Sequence, residues 1–494
     1  MVDLISNPQS SSLSRDEPEP TPSAVYDHHF SPAVTALSAL VLLSSVLFIV
    51  WLHLSIAPVD RIPSPDRALA LMVGRTLELE AALAGAPAWE QWLYDITAET
   101  GGQEVSQAIT WYEELAASLD RPSVQLELAV LEAEAGRLER IDQKTRAWVH
   151  RSDPFPFFAR LLRAAYLGPP LNSTDELDLQ AELATTLPAG WFYDRLAIAL
   201  AERAGHHDLL AAARASLAAR AGELLWRIRI LTALELFLIV VGLIGLLFFI
   251  NMVSRSYGTH CLVGAARIPP PWPGRIGLAV LVRGGALGLV IALAFMFVNV
   301  DDPWIRLSAV PLASLPLLVM SQRYLFQPAG LEFADGLGLR LAPGGWRRLS
   351  VAVMALAAGG LLGEWALGML AEQLNLTIHW AEWFDADLVW GDRLVLGVSL
   401  LEFVVFAPIF EEITFRGLLF GSLRRRFGWG TSAVLSATIF ASAHGYGLLG
   451  FASVLWSGIL WAWMYEKTGS LLPGMLAHAL NNFLVCVAMI WLLR

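Results

Sequence analysis

Nine apolar runs punctuate this chain, covering 33–56, 230–252, 276–298, 307–320, 351–371, 394–423, 431–447, 448–465 and 471–493. Hydrocarbon offers no partners to backbone N–H and C=O groups, so a run that crosses a bilayer must fold as a helix or as part of a closed barrel. Most of the runs approach or exceed the about 20 residues a spanning helix needs, roughly twice a barrel strand. The run at 307–320 is the weakest, being short and carrying Pro311 and Pro316. These runs explain why only 16% of the residues are charged, where soluble proteins carry roughly a quarter. The expected fold is all-α: a polytopic transmembrane helical bundle of about nine spans, with a soluble helical domain inserted after the first.

Residues 1–32 are rich in Ser, Pro, Asp and Glu, a composition that cannot offset the entropy of ordering, and are expected to form a disordered cytoplasmic tail. That stretch is too long and too acidic for a cleaved signal peptide, so 33–56 reads as a transmembrane anchor. Ala, Leu, Glu and Arg at helical spacing then fill 57–229, which predicts an extracytoplasmic helical domain. Around Gly136 and Gly205, 69 residues apart, the sequence repeats a helix, an Ala-Gly turn and a second helix. That separation is close to two of the about 34-residue tetratricopeptide units, so a tetratricopeptide-like array stands beside an ordinary Ala-rich bundle as its reading. Transmembrane segments resume over 230–371, and 394–494 closes the chain.

The net charge of −11 gives no support to nucleic-acid binding. Cys261 and Cys486 lie far apart, the second inside an apolar run, which suggests neither a disulfide framework nor a Cys-based metal site. Asn172-Ser173-Thr174 fits the glycosylation triplet, a pattern common by chance, and is assigned no function. His206-His207 reads as a solvated turn without partners. The 19 Trp residues suggest interfacial belts, with Trp461 and Trp463 near a span end.

Lys and Arg in short loops mark the cytoplasmic side. Arg255, Arg267 and Arg275 follow the second run; Arg323, Arg340, Arg347 and Arg348 the fourth; Arg424, Arg425 and Arg426 the sixth; Lys467 the eighth. The loop with Asp301 and Asp302 and the acidic stretch from Glu372 to Asp392 fall on the other side. One arrangement satisfies all of these: a cytoplasmic N-terminus, with the helical domain and the C-terminus outside.

Ionisable groups inside apolar spans are expensive and read as functional by default. Three clusters occur: Glu411-Glu412-Ile413-Thr414-Phe415-Arg416, then Phe440 with His444, then His478 with Asn482. Helical rise converts sequence distance into depth. Glu411 lies 13 residues before Arg424, His444 15 after Trp429, and His478 and Asn482 11 and 15 after Lys467. These separations are roughly 16–22 Å, so three helices present polar groups at one level. Residues four apart share a face, so Glu412 can pair with Arg416, leaving Glu411 to point elsewhere, and His478 aligns with Asn482. A low-dielectric pocket penalises the ionised carboxylate, the condition under which a glutamate serves as general base near neutral pH. The oxyanion formed when water attacks a peptide carbonyl needs neutral donors, a role that suits His478 and Asn482.

EExxxR, FxxxH and HxxxN, in this order on successive apolar segments, resemble the three motifs of the CAAX-protease and bacteriocin-processing (CPBP, or Abi) family of intramembrane proteases. The match covers about 394–494, including the Gly469-Ser470-Leu471-Leu472-Pro473 lead-in. The resemblance implies an endopeptidase in which Glu411 and His444 activate the water while His478 and Asn482 hold the oxyanion. Glu412 and Arg416 complete the first motif. It leaves the anchor and the helical domain unexplained.

Glu411, His444 and His478 also make a candidate zinc set, since catalytic zinc keeps three protein ligands and an open position. No HExxH is present, and chemistry without a required metal is the expectation. Two rival readings are a non-proteolytic immunity or scaffold protein that keeps the motifs for stability, and a proton-coupled transporter using Glu411, His444 and Glu402. Glu412 with Arg416 can also be a lock on helix packing. Glu235, Arg283, Glu364 and Glu402 lack motif context and read as packing or interfacial groups. The expected partners are the lipid bilayer, a peptide or protein substrate within it, and a protein recruited by the helical domain. The expected location, a bacterial inner membrane, rests on the resemblance.

Overall fold

The computed structural model describes residues 26, 28–56, 58–97, 104–169, 173–255, 262–295, 297, 302–374 and 376–494. Readings that fall on the tail before Tyr26, on Asn172, on Cys261 and on Asp301 lie outside the described residues. The protein is all-α, with no strand among the described residues. Among the described residues eight helices are long and apolar enough to cross a membrane, so this is a multi-pass membrane protein.

The anchor helix α1 (Pro32–Ser55) turns Leu37, Leu40, Leu43 and Leu47 outward, as a lipid-facing helix should. The domain that follows holds α2 (Pro65–Leu83), α3 (Ala88–Thr97), α4 (Glu104–Ser118), α5 (Pro122–Glu134), α6 (Leu138–Trp148), α7 (Phe155–Leu162), α8 (Ser173–Thr186) and α9 (Trp191–Ala204). Both Ala-Gly turns are present. Gly136 (φ 74°) and Gly205 (φ 69°) adopt the left-handed conformation that ends a helix and that only glycine takes without strain.

One helix, α10 (His207–Arg255), runs 49 residues from this domain into the membrane, about 74 Å at 1.5 Å per residue. Its Arg220 binds Glu78 of α2 (2.6 Å) and Asp194 of α9 (2.5 Å). In the membrane its Gly242 and Gly245 admit the backbone of α13 (Gly345–Gln373), where a Cβ would meet Met354 and Ala358. Small residues let spanning helices approach closely, which replaces the hydrophobic driving force that lipid removes.

The remaining helices are α11 (Gly274–Phe295), α12 (Pro303–Ser321), α14 (Arg393–Leu423), α15 (Trp429–His444), α16 (Leu448–Thr468) and α17 (Leu472–Leu493). Despite two internal prolines, α12 continues through a π-turn to Phe326 and is long enough to span. The count of eight against the expected nine reflects α15. Its 16 residues reach about 24 Å, short of the about 30 Å hydrocarbon core. The turn after it nevertheless meets the segment between α13 and α14, for Glu382 accepts the N–H of Gly447 (3.1 Å).

The molecule has two unlike ends. At one, the core of the helical domain takes in Trp380, Phe384 and Val389 of the segment between α13 and α14, with Met489 and Leu493 of α17 packed against it. At the other, the loops that carry the Arg residues knit together. Val263 and Gly264 donate to Thr468 O (3.0 and 3.1 Å), Ala342 donates to Val263 O (2.9 Å), and Arg424 grips Glu466 with two bonds of 2.9 and 2.8 Å. The basic loops thus share the end opposite the helical domain.

Two readings are corrected here. Tyr26, His28 and Phe30, placed in a disordered tail by composition, pack on the end of α12: Tyr26 donates to Leu325 O (3.2 Å), His28 lies tilted against the ring of Tyr324 and Phe30 meets it edge-on. Three aromatic rings outweigh the polar residues around them. His206 has a partner, since its Nδ1 lies 2.6 Å from the buried carboxylate of Glu176. Arg283 binds Thr35 Oγ1 (3.0 Å) and Ser31 O (2.6 Å), Glu364 accepts from Ser453 (3.3 Å), and Glu402 pairs with Arg306 (3.1 Å), each tying together two helices that are not consecutive in the chain.

Candidate active site

The site is built where α14, α15, α16 and α17 meet, and α14 is not a regular helix there. Pro408 has no N–H to offer, and the N–H of Ala407 bonds back to Glu402 O, closing a π-turn over Glu402–Phe406. The carbonyl of Phe403 is left without a helical donor. Asn482 of α17 supplies one through Nδ2 (2.9 Å). A second π-helical stretch covers Glu412–Phe420, and π-turns inside α-helices cluster at functional sites.

Within that stretch Arg416 Nη1 donates to Glu412 Oε1 (2.8 Å), both side chains being buried to 0% and 1% exposure. The pair fits because glycines face it: a Cβ on Gly458 would stand 2.8 Å from Arg416 Nη2, and one on Gly474 2.9 Å from Glu412 Oε2. The guanidinium lies between rings, 4.1 Å from the centroid of Phe440 and 4.9 Å from that of Trp461. A desolvated cation–π contact of this kind is worth about 2 kcal/mol.

His478 is the hub. Its ring stacks on Trp461 at 4.2 Å and meets Phe440 edge-on at 6.1 Å. Its Nε2 lies 3.7 Å from Glu411 Oε2 and its Nδ1 3.4 Å from Glu412 Oε1, neither with the geometry of a hydrogen bond. Glu411 Oε2, His478 Nδ1 and Arg416 Nε and Nη2 are buried without a hydrogen-bond partner among the described residues. Buried polar atoms are rarely left so. The two neighbouring carboxylates differ in access, for the Glu411 side chain is 30% exposed and that of Glu412 is closed off.

His444 ends α15, and its Nδ1 lies 2.8 Å from Phe440 O. A carbonyl only accepts, so Nδ1 carries the proton and a neutral ring keeps the Nε2 lone pair. The ring meets Phe440 at 4.7 Å and Tyr446 at 5.6 Å. His444 therefore joins the cluster through Phe440, whose ring also meets His478 and Arg416.

The structure thus brings Glu411, Glu412, Arg416 and His478 into one polar cluster, sets His444 beside it, and turns Asn482 to the Phe403 carbonyl. The candidate zinc set of Glu411, His444 and His478 is not gathered: among the described residues no three His, Cys, Asp or Glu side chains are grouped to hold a metal ion. Trp461 is misplaced by the belt reading. It is buried at 6% exposure and forms one wall of the site. Gly458, Gly474 and Pro408 carry no chemistry and escaped motif reading. Proline inside a span and glycine four residues before His478 are the available signals.

A polytopic helical membrane protein with carboxylates, imidazoles and a guanidinium gathered among its last spans is the class these features define. Residues 394–484, in the C-terminal region, match the family model described as Type II CAAX prenyl endopeptidase Rce1-like, a model of the CPBP family. No curated protein and no solved structure matches the chain. The family match suggests CAAX-type intramembrane protease activity.

Proposed function

We propose that the chain is an intramembrane endopeptidase in which Glu411 acts as general base on a water that attacks a peptide carbonyl. Glu411 takes a proton from the water, and His444, with its Nε2 lone pair available, shares in holding that water. The oxygen attacks the carbonyl carbon, and the oxyanion accepts N–H bonds from His478 and from the second amide hydrogen of Asn482, in the manner of an oxyanion hole. Collapse of the tetrahedral intermediate breaks the C–N bond. The proton held by Glu411 passes to the leaving amine.

The observation that carries this reading is the Glu411 carboxylate, the accessible member of an adjacent pair, with one oxygen buried and partnerless 3.7 Å from His478 Nε2. A structural ion pair has no use for such an atom, and Arg416 is already paired with Glu412 through Nη1. This also disfavours the scaffold reading.

The substrate is a peptide or protein whose scissile bond reaches the bilayer, and the helical domain recruits it or a partner that delivers it. Support comes from a run of contacts from domain to site: His379 Nε2 lies 3.0 Å from Glu114 Oε2 of α4, and Glu382, three residues on, holds the Gly447 turn next to Tyr446. The test compares the membrane peptidome of cells carrying the wild-type chain with that of a Glu411→Ala strain. A product present only with the wild type names the substrate; identical peptidomes sink the proposal.

A further inference from the structure

One face of α3 is firmly held and the other is bare. Glu90 is buried and receives Arg229 Nε and Nη2 on its two oxygens (2.5 and 2.9 Å). Gln91 donates to the carbonyls of Leu83 and Ala86 (3.1 and 3.0 Å), and Tyr94 packs with Leu79, Leu83 and Leu225. Trp89 and Trp92, three residues apart and hence neighbours on the helix surface, are 66% and 64% exposed. Two large indoles side by side in water are an unfavourable arrangement unless something covers them.

The ion pair fixes the height of this face. Arg229 immediately precedes the apolar run that begins at Ile230, and Phe237, Val240 and Ile244 on that run point outward as lipid-facing groups. Trp226, less than one turn back along α10, is exposed as well, and α3 also packs against α13. The bare tryptophans therefore continue the apolar belt of the spans at the level where it ends. Indole rings, apolar in body with one N–H, prefer that headgroup layer.

We propose that α3 is an interfacial anchor: Trp89 and Trp92, joined by Trp226, sit in the headgroup layer of the bilayer and seat the helical domain on the membrane. The occupant is lipid because the patch is continuous with the lipid-facing surface of α10. The acidic group of the helix turned inward, Glu90, is neutralised by Arg229, so anionic lipid is not required. The anchor fixes the height of α4 and its Glu114, the residue that reaches toward the site through His379.

The test uses the full-length protein with Cys261→Ser and Cys486→Ser, in phosphatidylcholine nanodiscs, with a bimane label attached through Trp92→Cys or, separately, Trp89→Cys. A label at Leu177→Cys is the control. Leu177 is exposed and follows Glu176, the partner of His206, which lies 23 residues before Arg229, roughly 34 Å along α10. A nitroxide on the lipid headgroup should quench both tryptophan-site labels several-fold more than a nitroxide at carbon 12 of the acyl chain, and neither should quench the control. Absence of quenching at positions 89 and 92, or stronger quenching from the acyl chain, overturns the proposal.

Discussion

Glu411 and Glu412 are adjacent in sequence and opposite in circumstance. Glu412 is closed off and bonded to Arg416, while Glu411 keeps an accessible side chain with a partnerless oxygen toward His478. Glu411→Gln should therefore leave the melting temperature in detergent unchanged or slightly raised. Arg416→Ala strands the Glu412 charge and should destabilise by about 3–5 kcal/mol, read from chemical unfolding in micelles. Equal effects of the two substitutions on stability would contradict this division of labour. The paired charges were legible because EExxxR sets residues four apart inside an apolar run. The role of Trp461 was not, since a tryptophan near a span end has the same sequence signature whether it faces headgroups or a neighbouring His.

Helical periodicity placed Asn482 and His478 on one face, and both do meet α14. It could not show that α14 leaves the α-helical register twice, because a π-turn is set by where backbone donors go missing rather than by side-chain pattern. Pro408 is the residue that gives the first π-turn away. Asn482→Leu should leave the Phe403 carbonyl unpaired, a loss of about 1–3 kcal/mol. Pro408→Ala in the same chain supplies an N–H and should recover much of that stability, a coupling readable in a double-mutant cycle; additive effects would contradict it. In the helical domain, α4 meets α5 through Tyr112, whose O–H donates to Glu127 (3.0 Å). Burial pushes the Glu127 carboxyl from its ordinary 4.5 up to about 8, the Tyr112 bond pulling down and Asp66 adding to the rise. Between these values the folded chain holds a proton that the unfolded chain releases. This group therefore contributes a loss of stability of about 1.4 kcal/mol per pH unit as pH rises through that interval. Limited proteolysis of the full-length protein from pH 5.5 to 7.5 should show increasing susceptibility, and Glu127→Gln should flatten the profile.

At the scale of the molecule, eight of the nine apolar runs became helices long enough to span, and the loop arginines predicted which loops share an end. What the sequence concealed is how the helical domain reaches the site, since the contacts joining Glu114 to His379 and Glu382 to Gly447 span 265 and 65 residues and leave no local pattern. His379→Ala should loosen the segment between α13 and α14 and raise amide exchange over 445–450, with little change in overall melting. Unaltered exchange there would mean that the helical domain does not steady the site. The most direct measurement of the central claim is cleavage, by the purified protein in nanodiscs, of the product-yielding substrate found in the peptidome comparison. A general base contributes about 10²–10⁴-fold, so Glu411→Gln should slow cleavage by that factor while the protein melts as the wild type does. Cleavage at the wild-type rate by the Glu411→Gln protein would show that the water is activated elsewhere, if it is activated at all.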